Sequence, residues 1–179
     1  MHAACGSAGR GRTCSWATFG RLAHEKELGL LASVQDLPGV RLVAVGEGPQ
    51  RRQLERTLPR ARCTGQQTGA ELARTFASLD VFTHTGSHET FCQAVQEALA
   101  SGVPVVAPAA GGPLDLVDHG RTGLLFQPGS AADLARRVTR MQKQPDTRIW
   151  MGRLARASVE GRGWDVVGRE LTDHYRAVA

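Results

Sequence analysis

The sequence predicts an α/β fold: a single Rossmann-like domain with a mostly parallel sheet covered by helices on both faces. Short, continuous apolar runs alternate with stretches of helical periodicity. Runs such as Val40–Val45 and Val103–Ala107 also lack the apolar–polar alternation of a half-exposed strand. The 179 residues, 41% of them hydrophobic, suit one domain of this kind.

The domain is predicted to span residues 16–179. Residues 1–15 contain Arg and Gly but no apolar segment like that of a secretory signal, and they are predicted to be a disordered leader. Strands are predicted at Ala17–Gly20, Val40–Val45, Ala61–Cys63, Asp80–His84, Val103–Ala107 and Gly123–Phe126. Helices are predicted from about Lys26, then at Gln50–Leu58, Ala70–Ser78, Thr90–Ser101, Pro113–Val117, Ala131–Gln142, Thr147–Val159 and Trp164–Val178.

Two of these helices carry specific signals. In the first, Leu28, Leu31 and Val34 share the spacing of one buried face. In Thr90–Ser101, Thr90 and Gln93 have the spacing of a capping box, and Gly102 follows as a C-terminal cap. The helix that ends at Ser101 is therefore predicted to begin at Thr90.

The formal net charge of +5 is spread along the chain. No zinc-finger, RNP-type or basic-zipper pattern accompanies it, so a nucleic-acid partner is not predicted. No apolar run approaches the roughly 20 residues that span a bilayer, which leaves at most peripheral membrane contact. The four cysteines form no CxxC pair, as expected of a protein in the reducing cytoplasm.

Ligands of doubly wound sheets bind beyond the carboxyl ends of the strands, at a topological switch point. The segments that follow predicted strands are Gly20–Lys26, Gly46–Pro49, Thr83–Phe91 and Pro108–Pro113. The last of these contains Gly111 and Gly112, whose amides can approach a ligand closely or form a plain tight turn. Gly46-Glu47-Gly48 lacks the third glycine of a dinucleotide fingerprint and is interpreted as a turn.

Arg21 and Lys26 are two cations on a loop that follows a strand and opens a helix. Arginine offers a planar fork of donors and lysine a mobile point charge, a combination that suits a diphosphate. The alternative is a solvated helix start, although cations there oppose the helix dipole.

Glu89 and Glu97, with seven residues between them, flank the start of the Thr90–Ser101 helix. A carboxylate at a sheet edge can accept from both hydroxyls of a ribose, and free amides around Phe91 and Cys92 can bind the diphosphate. The alternatives are a solvent-facing Glu97 and a Glu89 that stabilises the helix end.

Zinc is the competing interpretation of His84, His88 and Glu89. A strand that ends at His84, with Gly86 between the histidines, does not give the helical geometry that two ligands four residues apart require. No metal is predicted.

In this order, the segments GRLAHEK, GEGP, HETFCQAVQEALASGVPVVAPAAGG and HGRTGLLF resemble the C-terminal domain of glycosyltransferase family 4. The stretch from His88 to Val117 resembles in particular the actinobacterial GDP-mannose-dependent α-mannosyltransferases. Enzymes of this family are retaining and have the GT-B fold, with the active site between two Rossmann-like domains.

The resemblance implies donor-binding and catalytic roles. Arg21 and Lys26 would clamp the diphosphate, Glu89 would lie near the donor sugar, and Glu97 would bind the ribose. Thr90, Phe91 and Cys92 would form the phosphate-binding helix start. No metal or other cofactor is implied, because fixed cations and dipoles stabilise the leaving diphosphate.

The sequence departs from the family pattern at several points. Cys92 stands where glycine is commoner, Asp115 stands where glutamate is usual, Thr85-Gly86 replaces the usual Pro-Ser, and the first strand is short. No N-terminal domain is visible, so an apolar patch on the last helix is expected to be exposed or repacked; its residues are Trp164, Val167, Leu171 and Tyr175.

The predicted function is the donor-binding half of a retaining glycosyltransferase. The donor is a nucleotide diphosphate sugar, with GDP-mannose as first choice, and the acceptor a lipid or glycan. A separate N-terminal acceptor domain would be the partner. The alternative is a truncated remnant or docking subunit that binds nucleotide-sugar without turnover.

Overall fold

The computed structural model describes residues 14–161 and 163–178. Six strands are present: β1 Cys14–Phe19, β2 Val40–Val45, β3 Arg62–Gly65, β4 Val81–Thr83, β5 Val105–Pro108 and β6 Gly123–Phe126. The helices are α1 Arg51–Thr57, α2 Gly69–Ala77, α3 Gln93–Ala100, α4 Pro113–Leu116, α5 Ala131–Lys143, α6 Pro145–Val159 and α7 Trp164–Val178. Two 3₁₀ segments, His24–Lys26 and Leu28–Ser33, lie between β1 and β2.

The strands form one six-stranded sheet in the order β3-β2-β1-β4-β5-β6. Every pairing between these strands is parallel. The predicted fold class is therefore confirmed. The strand order reverses between β1 and β4, and this is the switch point at which a ligand cavity is expected.

Both faces of the sheet are covered, which explains why the central strands are largely apolar. Trp16 of β1 packs into one core cluster with Leu31 and Leu134, while its neighbour Ala17 packs into the other with Phe82. Adjacent residues of a strand point to opposite faces, so a strand such as β1 contributes to both clusters.

The first strand is longer than predicted. β1 begins at Cys14 instead of Ala17, because its pairing with β2 continues to Cys14 opposite Val40. Ser15 is also held by its amide, which donates to Asp80 Oδ2 at 2.8 Å. Cys14 and Ser15 therefore belong to the domain and not to the predicted leader; residues 1–13 lie outside the described part of the chain.

The helix predicted from Lys26 is replaced by the two 3₁₀ segments. Glu27 separates them with a φ of 48°, a left-handed conformation that an α-helix does not accommodate. Leu28, Leu31 and Val34 are nevertheless all buried, as their spacing predicts. The other predicted elements are present with small shifts at their ends, apart from α3, which is described with the site.

The last helix, α7, has the predicted bounds and an apolar face exposed to solvent. Val167, Leu171 and Tyr175 are exposed, in agreement with the patch that the sequence predicts; the side chain of Trp164 lies outside the description. No helix in the described residues combines the length and the apolar character needed to cross a bilayer.

Candidate functional site

A cavity of about 650 Å³ lies at the carboxyl ends of the strands, where β1 and β4 diverge. Its walls come from the loops that follow four strands and from the first turns of α3. The lining includes Gly20, Arg21, Lys26, Gly46, Gly48, Gln66, Gln67, His84, Glu89, Cys92, Gln93, Ala94 and Glu97. The loops that follow β1, β2 and β4 are three of the four segments that the sequence nominates.

Five of the seven predicted site residues share this cavity: Arg21, Lys26, Glu89, Cys92 and Glu97. The other two do not line it. Thr90 and Phe91 line a neighbouring crevice of about 480 Å³, together with residues of α6 and α7 and with Glu97. The side chain of Phe91 is exposed.

Lys26 and Glu89 form an ion pair in the cavity wall. Their side chains are only 18% and 24% exposed, so the pair is partly shielded from solvent. Two further contacts hold the same loops together: Thr85 Oγ1 donates to the carbonyl of Lys26 at 2.6 Å, and the Ser87 amide donates to Glu27 Oε1 at 3.0 Å. The loop after β1 is thereby fixed to the loop after β4.

Arg21 occupies a different environment from Lys26. Its guanidinium pairs with Glu25, and its side chain is 70% exposed at the mouth of the cavity. A side chain so exposed can reorient at little cost. The two predicted cations therefore differ in kind, since Lys26 is held in the wall and Arg21 is free to move.

Helix α3 begins at Gln93, three residues later than the capping box predicts. Cys92 occupies the N-cap position with a φ of 49°, and no side chain caps the helix. Thr90 is not the cap: its carbonyl packs against Gly112, where a Cβ atom would lie 2.2 Å from that oxygen, and the Cys92 carbonyl accepts from the amides of the first turn instead. A side-chain spacing alone does not reveal such a backbone contact.

The later start of α3 moves its amides relative to the prediction. Gln93 and Ala94 are now the first two helical residues, and both line the cavity. The amides of Val95 and Gln96, by contrast, already donate to the Cys92 carbonyl, at 2.9 and 3.2 Å. The first amides of a helix have no partner within it and favour anions. The predicted anion site is thus shifted from Phe91–Cys92 to Gln93–Ala94.

Gly111 and Gly112 contact protein backbone and not the cavity. The Gly112 amide donates to the Glu89 carbonyl at 2.7 Å, and a Cβ on Gly111 would lie 2.5 Å from that same oxygen. Neither glycine lines the cavity. Their close approach fixes the loop that carries Glu89, so their role in the site is indirect.

Sequence reasoning excluded His84 as a zinc ligand and gave it no other role in the site. It is 3% exposed, its amide donates to the Val106 carbonyl at 2.9 Å, and its Nε2 is buried with no hydrogen-bond partner. Burial lowers the pKa of the imidazole. The signal that could have found it is its position directly after a buried strand, at the edge where ligands bind.

Comparison with known proteins gives a consistent result. The sequence matches the family described as glycosyl transferases group 1 over residues 15–144. It is 51% identical over 160 residues to a GDP-mannose-dependent alpha-mannosyltransferase of Mycolicibacterium smegmatis, and 49% identical over 160 residues to the protein of that name in Mycobacterium tuberculosis. In both cases the match covers 89% of this chain and 42% of the relative, so the chain spans less than half of these relatives.

A solved structure has a similar fold. Anabaena HepE, determined in complex with UDP-glucose, superimposes with a TM-score of 0.79 at 25% identity, covering 92% of this chain and 49% of that one. The family match extends over most of the described domain, including β1 to β6 and α5. The chain belongs to the glycosyl transferases group 1 family.

Proposed function

We propose that this chain is the donor-binding half of a retaining glycosyltransferase, which transfers a hexose from a nucleotide diphosphate sugar to a lipid or glycan acceptor. The observation that carries the proposal is the single cavity in which Lys26, the start of α3 and Glu97 meet. A cation and free helix amides suit a diphosphate. A carboxylate farther along the same helix suits the ribose diol.

The Lys26–Glu89 pair supports a division of roles within the cavity. Lys26 is held close to the helix start, where it can share the charge of the diphosphate with the α3 amides. Glu89 accepts from Lys26 through one oxygen and keeps the other for a sugar hydroxyl. Arg21, at the mouth, would reorient from Glu25 to the phosphates when the donor binds.

Glu97 can exchange its present hydrogen bond for the ribose hydroxyls at a small cost in free energy. Within the described residues, Gln93 Nε2 donates to Glu97 Oε1 at 3.1 Å in an exposed position. An exposed hydrogen bond of this kind exchanges readily for two hydroxyl donors. Thr90 and Phe91 lie outside the cavity and would support the helix start without touching the donor.

We infer GDP-mannose as the donor, because two relatives about half identical to this chain are described as GDP-mannose-dependent. The solved relative at 25% identity binds UDP-glucose, so the same fold accepts more than one base. A separate acceptor domain would complete the active site, and contact with a membrane would be peripheral. We propose that the protein uses this donor in the cytoplasm.

Calorimetric titration of the purified chain with GDP, UDP and ADP should give one preferred base, with GDP bound most tightly. Glu97→Ala should weaken the preferred nucleotide by about 1–3 kcal/mol, the range for a lost hydrogen bond to a charged group. Glu71→Ala, which removes an exposed carboxylate of α2 outside the cavity lining, is the matched control and should bind as the unaltered chain does. Equal affinity in the Glu97 variant would contradict the ribose assignment.

A transfer assay separates binding from turnover. The 179-residue chain should bind the nucleotide but transfer no mannose from GDP-mannose to a lipid extract, because the acceptor side of the cleft would be supplied by another domain. Addition of a full-length relative is the positive control for the acceptor preparation. Robust transfer by this chain alone would overturn the expectation, whereas absence of both binding and transfer would overturn the proposed function itself.

A further inference from the structure

Three potential metal ligands converge in the inner wall of the cavity. One ligand atom each from His84, Glu89 and Cys92 lies within 4.8 Å of the other two. His84 and Cys92 are each 3% exposed, and Glu89 is partly buried. A nitrogen, a sulfur and a carboxylate oxygen form a donor set that zinc prefers and that Mg²⁺ and Ca²⁺ do not.

The backbone fixes each of these residues independently. His84 is held by its amide bond to the Val106 carbonyl, and Glu89 by the bond from the Gly112 amide. Cys92 is held in a left-handed conformation at the N-cap of α3, with its Sγ 3.2 Å from the position that a Cβ on Gly112 would take. Ligands placed by rigid backbone need little rearrangement to close on an ion.

The imidazole of His84 provides the observation that points to a ligand. Its Nε2 is buried and has no hydrogen-bond partner, although a buried polar atom normally has one. A bound cation would satisfy this nitrogen. Lys26 does not block the arrangement, because it engages Glu89 Oε1 and leaves the second carboxylate oxygen for the ion. Zinc and a sugar hydroxyl would therefore compete for that oxygen.

We propose that His84, Glu89 and Cys92 form a binding site for one zinc ion. The site does not depend on whether sugar transfer itself needs a metal. Binding releases the Cys92 thiol proton to solvent as the sulfur–zinc bond forms. Zinc ligand atoms lie roughly 3–4 Å apart, as Zn–S and Zn–N bonds of about 2.3 and 2.0 Å require, so the cluster contracts by about 1 Å. The cavity supplies water as the fourth ligand.

Titration with Co²⁺ as a spectroscopic substitute for zinc tests the site without any nucleotide. The full chain, kept reduced with a non-thiol phosphine, should bind one Co²⁺ and develop a thiolate-to-cobalt charge-transfer band. One equivalent of Zn²⁺ should abolish the band, and excess Mg²⁺ should not. Because no nucleotide is present, the outcome is independent of the proposed transferase function.

Two cysteine variants make the test specific. Cys92→Gly should lose the band and weaken binding by more than about 10-fold, since a ligand is removed; glycine accepts the φ of 49°, so the fold should be retained. Cys63→Ala, which removes a half-buried cysteine of β3, should keep the band. His84→Gln should also weaken binding. A band that survives in Cys92→Gly, or no Co²⁺ bound to the unaltered chain, would overturn the proposal.

Discussion

Gly46→Ala should lower the free energy of unfolding by roughly 2–5 kcal/mol, from a strained backbone and an atomic overlap together. Gly46 has a φ of 138°, and an added Cβ would lie 1.9 Å from the Gly20 carbonyl oxygen. The amide of Gly46 also donates to the Gly65 carbonyl at 2.8 Å, so the backbone cannot easily move away. Urea denaturation followed by circular dichroism measures the change.

Variants of two other glycines separate the backbone strain from the atomic overlap. Gly129→Ala has a φ of 71° but open space around the added atom, and it should show the backbone strain alone. Gly29→Ala has neither a positive φ nor a neighbour within 4 Å, and it should stay within about 1 kcal/mol of the unaltered chain. If all three variants unfolded at the same urea concentration, the close contact between the loops after β1 and β2 would be refuted.

Lys26→Ala should weaken GDP binding by about 1–3 kcal/mol, or roughly 5- to 150-fold, because a charge-assisted contact to the diphosphate is lost. The change also leaves the Glu89 carboxylate unpaired in the cavity wall, which repels the phosphates further. Lys143→Ala, at the exposed end of α5 and away from the cavity, should bind GDP normally. Isothermal titration at fixed ionic strength compares the variants.

A double-mutant cycle with Glu89→Gln distinguishes the two contributions to the Lys26 effect. If Lys26 contacts the diphosphate directly, Lys26→Ala should remain costly when Glu89 is already neutral. If Lys26 only neutralises Glu89, its removal should then cost little. The second result would contradict the clamp, and the ion pair would have a structural role only.

Much of the fold follows from the sequence because its signals are local or periodic. Val40–Val45 is predicted with its observed bounds, since an apolar run buried on both faces has one interpretation in an α/β chain. The spacing of Leu28, Leu31 and Val34 gives the buried face even though the helix type is wrong. Arg21, Lys26 and Glu89 each follow a predicted strand, and all three line the cavity.

The errors share a physical cause: contacts between residues distant in sequence. The start of α3 depends on Gly112 against Thr90, and β1 extends to Cys14 because Val40 pairs with it. Neither contact can be inferred from the local pattern of the amino-acid sequence. His84 is a different case: it lies directly after the buried strand β4, between β1 and β5, and that position is a signal that the sequence does carry.

The hydrogen bonds and the ion pair that join the loops after β1 and β4 have a consequence for engineering the molecule. The groups around the cavity come from two blocks of sequence, residues 19–72 and 84–97, with β4 between them. No short peptide cut from the chain carries both blocks. A graft of this pocket into another scaffold would have to move the whole span as one piece. A chimera with its junction inside that span would keep the ligand-binding groups of one block only.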